Sequence, residues 1–195
     1  MQYFKDAKNR VEKAKHAIRI ILGDEEPLTL QETTIVSHKE KSKNLPTVFV
    51  SFSHKDEKEK EKLLSHLGVL IGAGLIDLWS DDQIGGGSDW ESDVITAINK
   101  TQIAVMFVSD NYLNSEFILG KEVPALLQRR KSEGVTVLPL IAKACAWKQV
   151  DWLAKMNVRP KNGRPIWSDN GNHVDDDLAT IADEIGLMVK KIKFL

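Results

Sequence analysis

Residues 103–123 read IAVMFVSDNYLNSEFILGKEV. The first six, Ile103 to Val108, are apolar without alternation, which is the pattern of a strand covered on both faces. A polar loop, SDNYLNS, follows, and then a helical pattern from about Glu116 to Lys131 with Pro124 inside it, where a bend is expected. A fully covered strand that leads directly into a helix is the unit from which sandwiched parallel sheets are built.

The same unit recurs on both sides. Upstream, Val48 to Phe52 (VFVSF) reads as a first strand, and Glu57 to about Ile71 as a helix with Leu63, Leu64, Leu67, Leu70 and Ile71 on one face, ended by Gly72 and Gly74. Leu75 to Trp79 (LIDLW) reads as a second strand. The glycine-rich loop SDDQIGGG then leads to Ser88-Asp89-Trp90-Glu91, a capping-box spacing that opens a helix carrying Trp90, Val94, Ala97 and Ile98. Downstream, Val135 to Ile141 is a fourth strand, Pro165 to Trp167 a short fifth, and Asp175 to Lys191 a closing helix with its acids first and its lysines last, as the helix dipole favours. The alternation predicts an α/β fold: a parallel sheet with helices on both faces.

The chain has 195 residues. That length suits one domain with an attached segment. Residues 1–46 form the attached segment. Tyr3, Ala7, Val11, Ala14, Ile18 and Ile21 recur at helical spacing, so one amphipathic helix is expected from Tyr3 to Leu22, followed by a polar connector from Asp24 to Asn44. The helix reads either as a strut on the main domain or as a self-association or partner-docking element. Residues 47–195 form the main domain.

With 27 Lys and Arg against 28 Asp and Glu, the formal charge is −1, which disfavours a dedicated nucleic-acid binder. A lone Cys145 excludes an internal disulfide and any cysteine-cluster zinc site, and the five scattered histidines offer no metal-ligand spacing, so no metal is expected. No window is apolar over 18 residues, and the opening MQYFKDAKNR has no apolar export core; the expectation is a cytoplasmic protein with no membrane partner.

In a sheet of this kind, ligands bind beyond the carboxyl ends of the strands. That directs attention to Ser53, His54, Lys55 and Asp56 after the first strand, to Ser80, Asp81 and Asp82 after the second, and to residues 109–122 after the third. These stretches carry a resemblance. VFVSFSHKDE resembles the first motif of TIR domains, LWSDDQIGGGSDW their second-strand end and the BB loop after it, and VSDNYLNSEFILGKEVPALL the segment that holds their functional glutamate. VLPLIAKACAWK followed by RPKNGRPI is similar to the later part of bacterial members. The resemblance runs from about Thr47 to Leu195. Each motif alone is weak, whereas the ordered set of four is specific.

The resemblance implies a flavodoxin-like, three-layer fold with five parallel strands in the order 2-1-3-4-5. It also implies one of two kinds of protein: an enzyme that cleaves NAD+, common in bacterial defence and cell-death signalling, or a non-enzymatic scaffold that acts only by assembling with other TIR domains. Position by position, the family's glutamate falls on Glu122, its upstream serine on Ser115, its second-strand aromatic on Trp79, its loop aspartate on Asp81 and its loop glycine on Gly87. Asp82, Ile84, Gly85, Gly86 and Gly87 form the loop expected to remodel on assembly. NAD+ enters as substrate, with no cofactor. A homo-oligomer formed through TIR–TIR contacts is expected, with a separate sensor or activator protein as a further partner. One departure stands out: many relatives place an aromatic four residues before the glutamate, where this chain has Ile118, with Phe117 five before. Either Phe117 takes the stacking role after a small helical rotation, or one wall of the nicotinamide pocket is missing.

The chemistry can be argued without the family. Cleaving the nicotinamide–ribose bond passes through an oxocarbenium-like centre, and nicotinamide is already activated as a leaving group by its ring cation, so one carboxylate suffices. Glu122 held against the ribose would stabilise the developing positive charge. Phe52, Trp79 and Phe117 are candidate walls for flat rings, and Ser53, His54 and Lys55 are candidate contacts for the diphosphate. Plainer readings stand beside these. Phe52, Trp79 and Trp90 also suit core packing, Ser53 and Asp56 have a helix-capping spacing, and the charge run Lys58 to Lys62 reads as a solvated helix face. A generic receiver or nucleotide-binding domain is discouraged, because the first strand ends in Ser53-His54-Lys55 and not in an acidic pair ready for Mg²⁺.

Overall fold

The computed structural model describes residues 45–80 and 90–192. The expected N-terminal helix and connector, and the loop holding Asp81, Asp82, Ile84, Gly85, Gly86 and Gly87, lie outside the described residues. Four strands, β1 (Thr47–Ser51), β2 (Asp77–Trp79), β3 (Ile103–Val108) and β4 (Thr136–Ile141), form a parallel sheet in the order β2-β1-β3-β4. Val48 lies opposite Leu78 on one side and Ile103 on the other, and Met106 lies opposite Pro139. The helices are α1 (Glu57–Gly72), α2 (Trp90–Lys100), the one-turn α3 (Asp110–Leu113), α4 (Val123–Glu133), the one-turn α5 (Asp151–Ala154) and α6 (Val174–Ile192). A 3₁₀ turn, His54–Asp56, leads into α1, and a π-helical turn, Ile118–Glu122, leads into α4.

Side chains alternate across a strand, so each strand feeds two cores. Val48, Val50, Ile103, Val105, Phe107, Leu138 and Leu140 meet Leu63, Leu67 and Leu70 of α1 and Leu178, Ile181, Ile185 and Val189 of α6. Phe49, Ala104, Met106, Val108, Val137 and Ile141 meet Val94 and Ile98 of α2, Leu126 of α4 and Leu153 of α5. This confirms the two-faced covering read from IAVMFV, in which all six residues are buried.

The fifth strand is corrected: Pro165–Trp167 is not a strand among the described residues. The outer edge of β4 takes Arg159 through one isolated bridge, in which the Arg159 N–H donates to the Pro139 carbonyl and the Ile141 N–H to the Arg159 carbonyl. Further along, the Ile166 and Trp167 N–H groups donate to the carbonyls of Ile141 and Ala142. A longer ladder fails because Pro139 directs its donorless nitrogen to this edge. Between the two contacts the chain turns through residues 160–163, where Gly163 (φ +70°) lies so close to Trp147 that a Cβ there would stand 2.8 Å from the indole.

A second correction concerns the run Lys58 to Lys62. Lys60 is fully buried, with its ammonium 4.7 Å from the centre of the Phe52 ring and paired with Glu57 and Glu61. Alternating charge marks a solvated face only where no neighbour covers it. At Lys60, Phe52, just beyond β1, meets the cation with its ring face.

Candidate active site

Beyond the carboxyl ends of β1 and β3 lies a cavity of about 210 Å³ lined by Phe52, Ser53, His54, Lys55, Trp90, Ser115, Phe117, Ile118 and Glu122. Every candidate contact from the first strand end is present, together with Ser115, Phe117 and Glu122. Trp79 is not. It stacks on Phe49 with ring centres 5.1 Å apart and packs into the core beneath α2. This follows from register: Trp79 pairs with Phe49, a residue two positions short of the end of β1, so its ring sits below the rim.

Glu122 is 2% exposed yet lines the cavity. Its position comes from the π-helical turn, in which the Val123 N–H reaches back five residues to the Ile118 carbonyl. In an α-helix each residue turns about 100°, so residues four apart share a face and residues five apart do not. The wider turn brings residues five apart together, and that is the spacing of Phe117 and Glu122. Phe117 and Ile118 both line the cavity, with the Phe117 ring centre 4.3 Å from that of Trp90. Pro124 accounts for the placement. It sits in the first turn of α4, and the expected bend appears as a widened turn immediately before the proline, which has no N–H to donate and whose ring crowds the preceding turn.

The carboxylate of Glu122 is held from the sheet. Ser51, the last residue of β1, donates from Oγ to Glu122 Oε2 at 2.5 Å, and Tyr112 in α3 has its hydroxyl 3.0 Å from the same Oγ. Tyr112 is fully buried, and burial, reinforced by the negative charge of Glu122, pushes its hydroxyl far above the usual phenol range. Both effects favour the protonated, neutral hydroxyl.

A second polar cluster fixes the loops around the cavity. Asp56 is fully buried and accepts hydrogen bonds from Ser109 Oγ, from Asn111 Nδ2 at 2.9 Å and from Lys143 Nζ at 2.9 Å, while Lys143 also pairs with Glu59 at 2.9 Å. Burial alone would raise the Asp56 carboxyl, but the hydrogen bonds from Ser109, Lys143 and Asn111 outweigh it and leave the group below its usual value. Ser109 also caps α3 by accepting from the Tyr112 N–H at 3.0 Å. Asp56 therefore ties the end of β1 to the loops after β3 and β4, and its side chain makes no helix-capping hydrogen bond. Sequence reasoning missed Ser51, Tyr112 and the Asp56 cluster. A hydroxyl in an otherwise apolar strand, at Ser51, was the one available signal. Trp90, a helix position that suits core packing, does pack against the core on that face of the sheet and also lines the cavity.

The architecture is that of a sandwiched parallel sheet with a buried carboxylate at the carboxyl ends of its strands. The TIR domain family matches over residues 48–176, and the chain belongs to that family. It is 33% identical over 127 residues to an uncharacterised protein, y4lF, of Sinorhizobium fredii (strain NBRC 101917 / NGR234), an alignment that takes in 64% of this chain and 39% of the relative. This chain thus spans about two fifths of that relative's length. Among solved structures, it is similar to the TIR domains of the activated Roq1 resistosome directly recognizing the pathogen effector XopQ, at 23% identity over 71% of this chain and 84% of that one, with a TM-score of 0.44. No helix among the described residues is long and apolar enough to cross a membrane, and no cluster of metal-binding side chains occurs among them.

Proposed function

We propose that the protein is an NAD+ nucleosidase of the TIR type, acting in the cytoplasm and switched on by self-assembly in a bacterial immune or cell-death response. The observation that carries this reading is Glu122: a buried carboxylate that opens onto an aromatic-walled cavity and is anchored by Ser51. A carboxylate so placed has a limited set of uses, and stabilising a cationic sugar is the one that fits flat apolar walls beside it.

In the reaction, the bond between ribose C1′ and the nicotinamide nitrogen breaks, and nicotinamide departs with the electron pair that neutralises its ring. Glu122 faces the positive charge left on the ribose. Water adds at C1′ and releases a proton, giving ADP-ribose; attack by an adenine nitrogen of the same molecule gives a cyclic ADP-ribose instead. Phe52, Trp90 and Phe117 exclude water from the nicotinamide end, which strengthens the electrostatic effect of the carboxylate. Ser53, His54, Lys55 and Ser115 line the same cavity and are assigned to the ribose and diphosphate.

The cavity of about 210 Å³ is smaller than the roughly 300–1,000 Å³ that encloses a whole drug-sized ligand, and the part of NAD+ beyond the nicotinamide-ribose end is assigned to surfaces outside it. That is consistent with completion of the site by a second copy, with Asp82, Ile84, Gly85, Gly86 and Gly87 as the assembly loop and the expected N-terminal helix, together with a separate activator, as the input side. Phe117 at the cavity supports the enzyme reading over a non-enzymatic TIR scaffold. The test is nicotinamide release from NAD+ across a protein concentration series, with Glu122→Gln alongside. Release that rises faster than linearly with protein and vanishes in the variant is expected; equal release by the variant refutes the reading.

A further inference from the structure

The hydroxyl pair behind Glu122 has a direction. Ser51 Oγ carries one proton, and the 2.5 Å contact to Glu122 Oε2 commits it to the carboxylate. With the Glu122 carboxyl ionised, the proton in the 3.0 Å Tyr112–Ser51 contact then comes from Tyr112. We propose that Tyr112 and Ser51 are positioning residues that form a one-way relay, Tyr112 O–H to Ser51 Oγ and Ser51 O–H to Glu122 Oε2, which fixes the carboxylate at the cavity wall. The assignment of turnover to Glu122 rests on the function proposed above, while the relay itself rests on geometry.

Three observations support a built device. The three groups come from β1, α3 and the π-helical turn, separated by 61 and 71 residues in sequence, so no local turn chemistry accounts for their meeting. All three are at most 2% exposed, so no water competes for these bonds from the surface. Tyr112 is itself anchored through its backbone, since its N–H donates to Ser109 Oγ, which donates in turn to the buried Asp56. The second hydroxyl matters because a donor that is itself hydrogen-bonded is polarised and held in one rotamer. Without Tyr112, Ser51 Oγ is free to turn its proton elsewhere.

A relay predicts more than the coupling of any contacting pair: Tyr112 acts on the carboxylate only through Ser51, and the loss falls on kcat. Ser51→Ala removes the donor to the carboxylate, and kcat for nicotinamide release is expected to fall about tenfold to a hundredfold, the value of one hydrogen bond to a charged group, with KM within about twofold. Tyr112→Phe keeps the ring and the packing, and a fall of about threefold to tenfold is expected. The double variant is expected to match Ser51→Ala alone, because Tyr112 acts only through Ser51. Additive losses, or losses confined to KM, overturn the relay.

A second readout needs no turnover. With glutamate side chains labelled with ¹³C at the carboxyl and Glu122 identified by its absence in Glu122→Gln, the titration midpoint of Glu122 is expected to move to higher pH in Ser51→Ala, less so in Tyr112→Phe, and in the double variant to equal that of Ser51→Ala. A donor to the carboxylate favours its charged form, and losing it raises the pH of protonation. Coincident midpoints in all four proteins refute the relay even if NAD+ is cleaved. The expected pattern of midpoints upholds it even if NAD+ proves not to be the substrate.

Discussion

Replacing Asp56 by alanine tests whether the loops around the cavity are held by one buried carboxylate. The side chain is fully buried and receives three hydrogen bonds, from Ser109, Asn111 and Lys143, one of them charged. Breaking a buried charge pair by removing one partner costs about 3–5 kcal/mol when the other is left unpaired. Lys143 is not left so: Glu59 still holds it at 2.9 Å, and its side chain is 28% exposed, so water reaches it. Ser109 and Asn111 each lose an acceptor on the inner side, and the expected net loss is about 2–4 kcal/mol. Urea denaturation at neutral pH measures it directly. In a domain of this size the corresponding drop in Tm is roughly 5–15 °C. The pH dependence supplies a second check. The folded Asp56 carboxyl lies below its ordinary value, so its contribution is fully present above the unfolded value, near pH 4, and is lost as the pH falls from there toward the folded one. The gap between wild type and Asp56→Ala should therefore narrow below about pH 4. A loss under about 1 kcal/mol at neutral pH, or a gap of constant size down to acid unfolding, refutes the account.

Gly163→Ala places a Cβ 2.8 Å from the Trp147 indole at a φ of +70°, and a loss of about 1–3 kcal/mol is expected by denaturant titration. Gly68→Ala lies inside α1, one turn before its end, with nothing within 4 Å of the new methyl; a gain of about 0.5–1 kcal/mol is expected in the same assay. Glu184→Gln breaks the two-pronged pair in which Arg159 Nε and Nη2 donate to Glu184, which ties the segment beside β4 to α6. The Arg159 guanidinium holds the Glu184 carboxyl below its usual value, and the expected loss is about 1 kcal/mol at pH 7, vanishing as the pH falls below about 4.

How much of this was legible before the structure depends on how far apart the partners are in the chain. The strands β1, β3 and β4 were visible within a residue or two, and α1 and α6 as nearly, because a strand's covering and a helix's stripe are written in the spacing of neighbouring residues. Glu122, Phe117 and the cluster after β1 were legible through ordered motifs and through the rule that parallel sheets bind at their carboxyl ends. The site's inner wall was not. Ser51 is one hydroxyl in an apolar strand, and its meaning depends on Tyr112 and Glu122, which reach it only after β3 and α4 have packed.

Sequence periodicity therefore determined that this chain makes a sandwiched parallel sheet, and the ordered motifs pointed to part of the set of residues that gather at the rim. Tertiary structure decided the rest. It put Lys60 under an aromatic ring despite its charged neighbours, kept Trp79 below the rim by strand register, and stopped the sheet at four described strands because Pro139 offers no donor to a fifth. It also turned the segment before Pro124 into the wider helix that sets Phe117 beside Glu122. The physical reason is common to all of these. Burial, register and hydrogen-bond partnership are properties of pairs of distant segments, and a local pattern records only one member of each pair.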